Sequence, residues 1–379
     1  MNVATTIADQ RPRLLGLEAG RFVAALLVAC FHFSYAFQHL RGVDIFGMAF
    51  RGGHAGVEYF FVLSGFIITW VHACDLGSPR AMRPFIVKRL IRLYPMFIVV
   101  TLAMLGLFLL PSVSAHREFS IPSFLLDITL LPTGGSTMVE QSWSLRHEIV
   151  FYLLFAVAIW KIRVGLLALA VWQLASLGVG LVAPDQLPPA LMPFLYFYNV
   201  GFGVGAGVAW TTRRFTVARP SLYALTGFVL FAGCLVVEWA IGRDLPPAVL
   251  PLGARLSPAL YVTASALVIF GVTQLEMRRP FPGQRTLKLL GGASYALYLV
   301  HALVGSIVIR VFDNSILSHV PNGFVFVVMV LGALVVALGL HVMIEKPLLG
   351  WLRGRLLAGG RSKARAPGEG ALFGNAQAG

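Results

Sequence analysis

The sequence predicts an all-α integral membrane protein, a bundle of about ten transmembrane helices with both termini in the cytoplasm. Its 379 residues are 58% hydrophobic and only 12% charged, whereas a soluble domain is about 25% charged. The apolar residues form repeated runs of about 20, the length of helix that crosses roughly 30 Å of hydrocarbon. This composition excludes a soluble enzyme, and uniformly apolar runs exclude a transmembrane β-barrel, whose strands alternate polar and apolar residues.

Ten segments bounded by charged residues, proline or glycine are candidate spans. They are 21–37, 55–74, 95–111, 144–160, 164–183, 190–210, 221–241, 256–275, 291–310 and 324–344. Residues 120–132 are also apolar, but they are too short to span and lie between prolines, so we expect a re-entrant or surface-lying segment. The polar N-terminal tail 1–13 with the first span predicts an uncleaved signal anchor, the alternative being an export peptide.

Basic residues set the orientation of the bundle. With the N-terminus in the cytoplasm, 23 of the 30 lysines and arginines fall on the cytoplasmic side, as the positive-inside rule requires. The formal charge of +14 is therefore a topology signal, and no nucleic-acid partner is expected. Residues 14–350 form the predicted membrane domain, and 351–379 form a basic, disordered cytoplasmic tail held against anionic lipid headgroups. Three cysteines without a CxxC pair give neither a disulfide framework nor a metal site.

Arg21 and His32 lie in the first span, eleven residues apart. At about 100° per residue they return to within about 20° of one face, separated by about 16 Å. An ionisable side chain at the centre of a span costs about 2.5–3.5 kcal/mol on insertion scales, and imidazole titrates near neutrality. We therefore interpret the two as a functional pair. The alternative is a snorkelling interfacial arginine and a histidine that bonds a backbone carbonyl.

Arg89 and Arg92 lie in the second predicted cytoplasmic loop. As residues i and i+3 they are neighbours on a helical turn, where two guanidinium groups can converge on a phosphate-bearing ligand. Basic loops also set the orientation of any multispanning protein. The pattern by itself leaves both interpretations open.

Glu148 lies near the start of the fourth span, in the run Trp143-Ser144-Leu145-Arg146-His147-Glu148. Two alternatives remain open for this carboxylate. One is a partly exposed helix-end charge paired with Arg146. The other is a group that faces a polar cavity where a hydroxyl substrate and His32 meet.

The ninth span carries a polar stripe. Ser294, Tyr298 and His301 are spaced by four and three residues and share a helical face, which predicts contact with protein or water rather than lipid. Structural hydrogen bonding explains the stripe as well as catalysis does, and the same ambiguity holds for Glu58 and Ser64 in the second span.

Six motifs between residues 14 and 347 together resemble the acyltransferase 3 family of integral membrane enzymes. They are Leu17-Glu18-Ala19-Gly20-Arg21 with Phe31-His32, Gly56-Val57-Glu58-Tyr59-Phe60-Phe61-Val62-Leu63-Ser64-Gly65-Phe66, Arg89-x-x-Arg92 with Tyr94-Pro95, Trp143-Ser144-Leu145-x-x-Glu148-x-x-Phe151-Tyr152, Ser294-Tyr295-x-x-Tyr298-Leu299-x-His301, and Glu345-Lys346-Pro347. The chain departs from the usual pattern at Glu18 and Glu58, where Asp is common, and at Phe22, where Gly is common. The resemblance also implies a single-domain form, without a fused esterase-like domain.

The resemblance implies an enzyme that moves an acyl group, usually acetyl, from cytoplasmic acyl-CoA to a hydroxyl of a glycan or other acceptor, without a metal. It implies that Arg21 and His32 are the essential pair of the first helix, Glu148 an essential acid, and Arg89 and Arg92 the arginines linked to the donor. The motif residues expected to give substrate or structural support are Trp143, Ser144, Tyr298, His301, Glu58 and Ser64. The expected location is the bacterial inner (plasma) membrane.

Acyl transfer needs a base, stabilisation of an oxyanion and a site for a polyanionic donor. We expect the CoA phosphates at the basic loop and the thioester near His32, which acts as general base or as transient acyl carrier. Glu148 then holds the imidazole tautomer or binds the acceptor. The rival from another class is a transporter or proton-coupled permease, because intramembrane His, Arg and Glu also build ion relays.

Overall fold

The computed structural model describes residues 14–108, 121–131, 138–182, 187–241, 256–279, 281–313 and 319–357. Within these ranges the chain forms helices and turns without a β-strand, which confirms the predicted all-α membrane fold. The helices longer than one or two turns are α1 (Leu15–Arg41), α2 (Gly56–His72), α3 (Pro79–Phe108), α4 (Ile121–Thr129), α5 (Trp143–Trp160), α6 (Ile162–Val182), α7 (Val200–Arg214), α8 (Pro220–Ile241), α9 (Leu256–Arg278), α10 (Gln284–Asp313), α11 (Asn322–Leu340) and α12 (Lys346–Leu357). The predicted tail 1–13 lies outside the described residues.

Nine helical stretches of the described chain are long and apolar enough to cross a membrane. The sixth predicted span, 190–210, is instead broken into short turns followed by α7, whose 15 residues rise only about 22 Å. Glycine lets α7 pack directly on α2. A Cβ added at Gly65 would lie 2.1 Å from the carbonyl oxygen of Phe202, and one at Gly205 would lie 1.9 Å from that of Val62. Small residues that permit such close approach are a common basis of helix association in membranes.

Contacts near helix ends show the relative directions of α1, α9, α10 and α11. At one end of the bundle, Glu276 near the end of α9 accepts a hydrogen bond from the Leu15 amide at the start of α1, at 2.5 Å. At the same end, Arg92 of α3 pairs with Glu345, which follows α11. At the opposite end, Arg41 closes α1 with an ion pair to Asp313, the last residue of α10, at 2.7 Å. The described chain thus begins and finishes at one end, called the basic end below.

This arrangement gives a testable topology. A reporter fused after residue 365 should report the cytoplasm, and one near Pro321 the outside, because most basic residues then lie inside. Reporter activity in intact cells measures this directly. A C-terminus on the outer side would contradict this topology and remove the basic end from a cytoplasmic donor.

The prediction that Arg89 and Arg92 lie in a cytoplasmic loop is wrong, because that segment is largely helical. Helix α3 begins at Pro79, well before the predicted start of the span at residue 95, and the helix continues through both Pro84 and Pro95. Prolines and charges hid its start, since each proline removes one helical hydrogen bond without ending the helix here. Arg89 and Arg92 therefore have fixed directions on a long helix.

The short apolar segment 120–132 contains α4, which packs between α3 and α5. The Tyr94 hydroxyl of α3 donates to the Thr129 carbonyl at 2.5 Å. Asp127 pairs with Arg146 of α5 at 2.7 Å and accepts a hydrogen bond from the Met138 amide at 2.8 Å. Burial raises the pKa of Asp127, against the opposing effects of Met138 and Arg146. The segment is thus tied to the bundle by polar contacts.

A π-helical turn, His341–Glu345, joins α11 to α12. Such turns often occur at functional sites, and this one directs Glu345 inward. Helix α12 continues to Leu357, so residues 351–357 of the predicted disordered tail are helical, because the helix begun at Lys346 runs on through Trp351 and Leu352. The remainder of that predicted tail lies outside the described residues.

Candidate active site

An inner chamber of about 160 Å³ lies between α1, α2, α3, α5 and α10. Seven of the site residues predicted from sequence line it: Arg21, Ser64, Arg89, Arg92, Ser144, Glu148 and Tyr298. These side chains come from five helices, so the chamber collects ionisable and hydroxyl groups that are far apart in the sequence. Placing charged side chains inside a membrane bundle costs free energy, so a cluster of them is a candidate functional site.

Arg89 lines the chamber and has one hydrogen-bond donor without a partner among the described residues. Its Nη2 donates to Nε2 of His72 at 3.0 Å, and the other nitrogen of that ring, Nδ1, donates to Asp75 at 2.7 Å. The guanidinium also lies over the ring of Phe85, 5.5 Å from its centroid. The Nε of Arg89 is buried and has no hydrogen-bond partner among the described residues. Since an unmet buried donor is costly, Arg89 is well suited to bind an acceptor group of a ligand.

Arg92 forms an ion pair with a carboxylate inside the protein. Its Nη1 donates to Oε1 of Glu345, while Nδ1 of His341 contacts Oε2 of the same residue at 2.8 Å. Glu345 is 2% exposed. The two arginines of the motif therefore differ, because Arg92 has a carboxylate partner whereas Arg89 forms no ion pair among the residues that the structure describes.

Glu148 lies on the chamber wall and accepts hydrogen bonds from two hydroxyl groups. Ser64 Oγ donates to it at 3.0 Å, and the Tyr152 hydroxyl donates to the same oxygen. The predicted pairing with Arg146 does not form, because Arg146 turns to Asp127 instead. His32 is not a partner of Glu148 either, so the idea that this carboxylate holds the imidazole tautomer is wrong.

His32 contacts a second histidine, His301 of α10. His301 Nδ1 lies 3.1 Å from the Leu297 carbonyl and must donate to it, which leaves Nε2 of His301 as an acceptor. His32 Nδ1 lies 2.9 Å from the Val28 carbonyl and 3.2 Å from that acceptor nitrogen. Both neighbours require the proton of His32 on Nδ1. The other ring nitrogen, Nε2, therefore carries a lone pair.

Tyr298 and Gln141 connect the chamber to the histidine pair. The Tyr298 hydroxyl lies 2.8 Å from Ser144 Oγ and donates to the Gln141 carbonyl at 3.2 Å. The Gln141 side-chain nitrogen lies 3.5 Å from His301 Nε2. His32 thus lies behind the chamber wall rather than in it. Gln141 carries no signal in the sequence that predicts this position.

Glu58 and Trp143 lie away from the chamber. Glu58 is fully buried beside His54, which also lies 3.3 Å from Glu238 of α8. Trp143 packs against His147 and Tyr198, with ring centroids 5.5 Å apart in each case. Neither side chain lines the chamber. Glu238 was missed from sequence, although a carboxylate inside the seventh predicted span is a signal that reveals it.

A second cavity, the vestibule, opens at the basic end and has a volume of about 1030 Å³. Its charged lining residues are Glu18, Arg21, Arg285, Lys288, Lys346 and Arg353. Arg21 and Ile67 line both the vestibule and the chamber. The two cavities therefore share a wall at Arg21. From sequence, Arg285, Lys288 and Arg353 contributed only to the count of basic residues.

Comparison with known proteins gives consistent matches. Residues 14–342 match the acyltransferase domain that defines the acyltransferase 3 family. The exopolysaccharide production protein ExoZ of Rhizobium meliloti is 28% identical, covering 83% of this chain and 95% of that protein. The acyltransferase MdmB of Streptomyces mycarofaciens is 26% identical, covering 94% and 95% respectively. The putative peptidoglycan O-acetyltransferase YrhL of Bacillus subtilis is 24% identical, covering 80% of this chain but 51% of its own length. No solved structure shows a significant match.

Proposed function

Because the chain belongs to the acyltransferase 3 family, and is thus a membrane O-acyltransferase, we propose that it moves an acetyl group from cytoplasmic acetyl-CoA to a hydroxyl of a glycan. The names of two relatives, an exopolysaccharide production protein and a putative peptidoglycan O-acetyltransferase, favour a glycan acceptor. The observation that carries the proposal is the shared wall at Arg21, which places a basic vestibule next to the chamber. The bacterial inner membrane is the matching location.

The acyl end of the donor enters the chamber from the basic end. Arg89, with its unmet Nε donor, binds an acceptor oxygen of the donor, and Arg21 lines the entrance. Both cations also stabilise negative charge that develops on the thioester oxygen, an effect that is strong where water is excluded. Arg92 serves these groups indirectly, because Glu345 holds it in place.

His32 supplies the base. Its proton is fixed on Nδ1 by Val28 and His301, so Nε2 accepts the proton of the acceptor hydroxyl as the hydroxyl oxygen attacks the thioester carbonyl. The C–S bond then breaks, and the leaving CoA thiolate takes the proton from Nε2, which restores the neutral imidazole. In the second route, Nε2 itself attacks and the C–S bond breaks, which gives an acyl-imidazolium and the CoA thiolate. The acceptor hydroxyl then attacks the acyl carbon, the C–N bond breaks to release neutral His32, and the hydroxyl proton passes to the thiolate. In either route the thioester carbon and its attacker must approach to about 3–3.5 Å. Because Tyr298 and Gln141 lie between the chamber and His32, the acyl group must pass Tyr298 to reach the imidazole.

Activity of the purified protein tests the proposal. In detergent, transfer of labelled acetyl from acetyl-CoA to a hydroxyl acceptor, or hydrolysis of the thioester, is expected. The rival transporter function predicts substrate flux across liposomes without acyl turnover, and that result would contradict the proposal. Mass spectrometry of cell-surface glycans, with and without the gene, identifies the acceptor.

Glu148→Gln should lower turnover about 10²-fold. The amide still accepts hydrogen bonds from Ser64 and Tyr152, so the chamber keeps its shape, but the negative charge that balances its arginines is lost. Transfer and donor hydrolysis measured in parallel show whether the defect concerns both substrates. If Glu148 acts only on the acceptor hydroxyl, donor hydrolysis persists.

Asp44→Asn is the matched control, because Asp44 is an exposed carboxylate in the turn after α1. It should leave both assays unchanged. Unchanged kinetics for Glu148→Gln as well would remove Glu148 from the site.

A further inference from the structure

The vestibule is built from the basic end of the bundle. Arg285 and Lys288 lie in the first turns of α10, and Lys346 and Arg353 lie on α12. Lys346 directly follows the π-helical turn, whose His341 also lines the cavity. The geometry thus groups basic side chains from two helices around one opening.

The charge of this cavity is unbalanced. Glu18 is the one acidic residue in its described lining, and it lies 3.5 Å from Arg21. Arg285, Lys288, Lys346 and Arg353 form no ion pair with any carboxylate among the residues that the structure describes. Lys288 contacts only a neutral group there, the Gln284 amide oxygen, at 3.3 Å. A cleft of one charge sign concentrates ligands of the opposite sign.

The two cavities differ in size, so different parts of a long ligand fit each of them. Pockets for drug-sized ligands occupy about 300–1,000 Å³. The chamber, at about 160 Å³, is too small for a nucleotide, whereas the vestibule, at about 1030 Å³, is large enough. Since Arg21 and Ile67 line both cavities, a single ligand can extend from one into the other.

We propose that the vestibule is the subsite for the phosphorylated nucleotide end of the acyl-CoA donor, with Lys288 and Arg353 binding its phosphates. This inference rests on the proposed function and goes further, because it moves phosphate binding from the motif arginines of α3 to α10 and α12. Arg89 and Arg92 face the chamber, where the thioester end lies. Arginine and lysine both bind phosphate strongly through charge-assisted hydrogen bonds.

Donor analogues that lack phosphates test the subsite. The three donors carry the same thioester, but acetyl-CoA has the complete nucleotide end, 3′-dephospho-acetyl-CoA lacks its 3′-phosphate, and acetyl-pantetheine has no nucleotide. Lys288→Ala and Arg353→Ala should each raise KM for acetyl-CoA about tenfold, the effect of losing one hydrogen bond to a charged group. The KM for acetyl-pantetheine should stay within about twofold, since it has no group in the vestibule.

Arg355→Ala is the matched control. Arg355 lies on the same helix, but it stacks over Trp351, with its guanidinium carbon 4.9 Å from the ring centroid, and does not line the vestibule. This variant should keep the wild-type KM for all three donors. Thermal unfolding in detergent checks the folding of each variant. Free CoA should raise the unfolding temperature of the wild type, and pantetheine should not.

Four results would overturn the proposal. Equal increases in KM for acetyl-CoA and acetyl-pantetheine would show that the variants disturb the bundle generally. An effect that appears only in nanodiscs containing anionic lipid, and vanishes in neutral phosphatidylcholine, would assign the cavity to a lipid headgroup. Equal KM values of the wild type for all three donors would refute the subsite but leave the acyl-CoA function intact. Turnover of none of the thioesters would instead refute the proposed function, and this inference with it.

Discussion

His32→Ala should lower acyl transfer by at least about 10²-fold, while the protein still inserts and accumulates in the membrane. The imidazole carries its proton on Nδ1, held by the Val28 carbonyl and by His301, and alanine removes the basic Nε2. Initial rates with labelled acetyl-CoA, normalised to the amount of purified protein, measure the loss. The same preparation shows by thermal unfolding that the bundle is intact.

His39→Ala is the matched control, because His39 is an exposed histidine near the end of the same helix. It should behave as wild type. Near-normal turnover of His32→Ala would mean that His32 serves as a structural residue bonded to a carbonyl. Rapid quenching of the wild type separates the two routes, since label trapped on His32 indicates an acyl carrier, whereas a general base carries none.

Glu345→Gln should reduce the free energy of unfolding by roughly 2–3 kcal/mol, somewhat less than the loss of one partner from a fully buried ion pair, because the Arg92 side chain is 23% exposed. Glu345 is 2% exposed and bonds both Arg92 of α3 and His341. The substitution leaves Arg92 as an uncompensated charge between helices. Denaturant or thermal unfolding in detergent measures the loss, and activity should fall with it as Arg92 moves.

Asp313→Asn provides the comparison. Asp313 pairs with Arg41 at the other end of the bundle, but its side chain is 38% exposed, so its loss should cost no more than about 1 kcal/mol. The double variant Arg92→Gln with Glu345→Gln should regain part of the stability, because neither charge then remains alone. A Glu345→Gln variant as stable as Asp313→Asn would contradict a stabilising role for the Arg92–Glu345 ion pair.

Sequence alone predicted the membrane bundle and most of its spans because the evidence for them is local. Each span is a run of apolar residues long enough to cross the bilayer, and the basic residues orient the whole set. Where a local signal misled, another local feature was responsible. Prolines and charges concealed the start of α3, and the apolar run 190–210 hid a break before α7.

The motifs also identified most of the chamber residues but not their roles. Helical spacing shows which side chains share a face, and it carries no information about the helix opposite that face. Arg89 and Arg92 look equivalent in sequence, yet a carboxylate 253 residues from Arg92 neutralises it, while Nε of Arg89 has no partner among the described residues.

Tertiary structure alone decided the protonation of His32 and the existence of the vestibule. The tautomer of His32 depends on His301, 269 residues away, and the vestibule exists because the starts of α1 and α10 meet the π-helical turn and α12. Hydropathy and charge act on each segment separately, so the sequence determined which segments enter the membrane and in which direction. Which ionisable groups meet depends on packing among helices distant in the chain. Packing therefore determined the tautomer of His32, the ion pair of Arg92 and the shape of the two cavities.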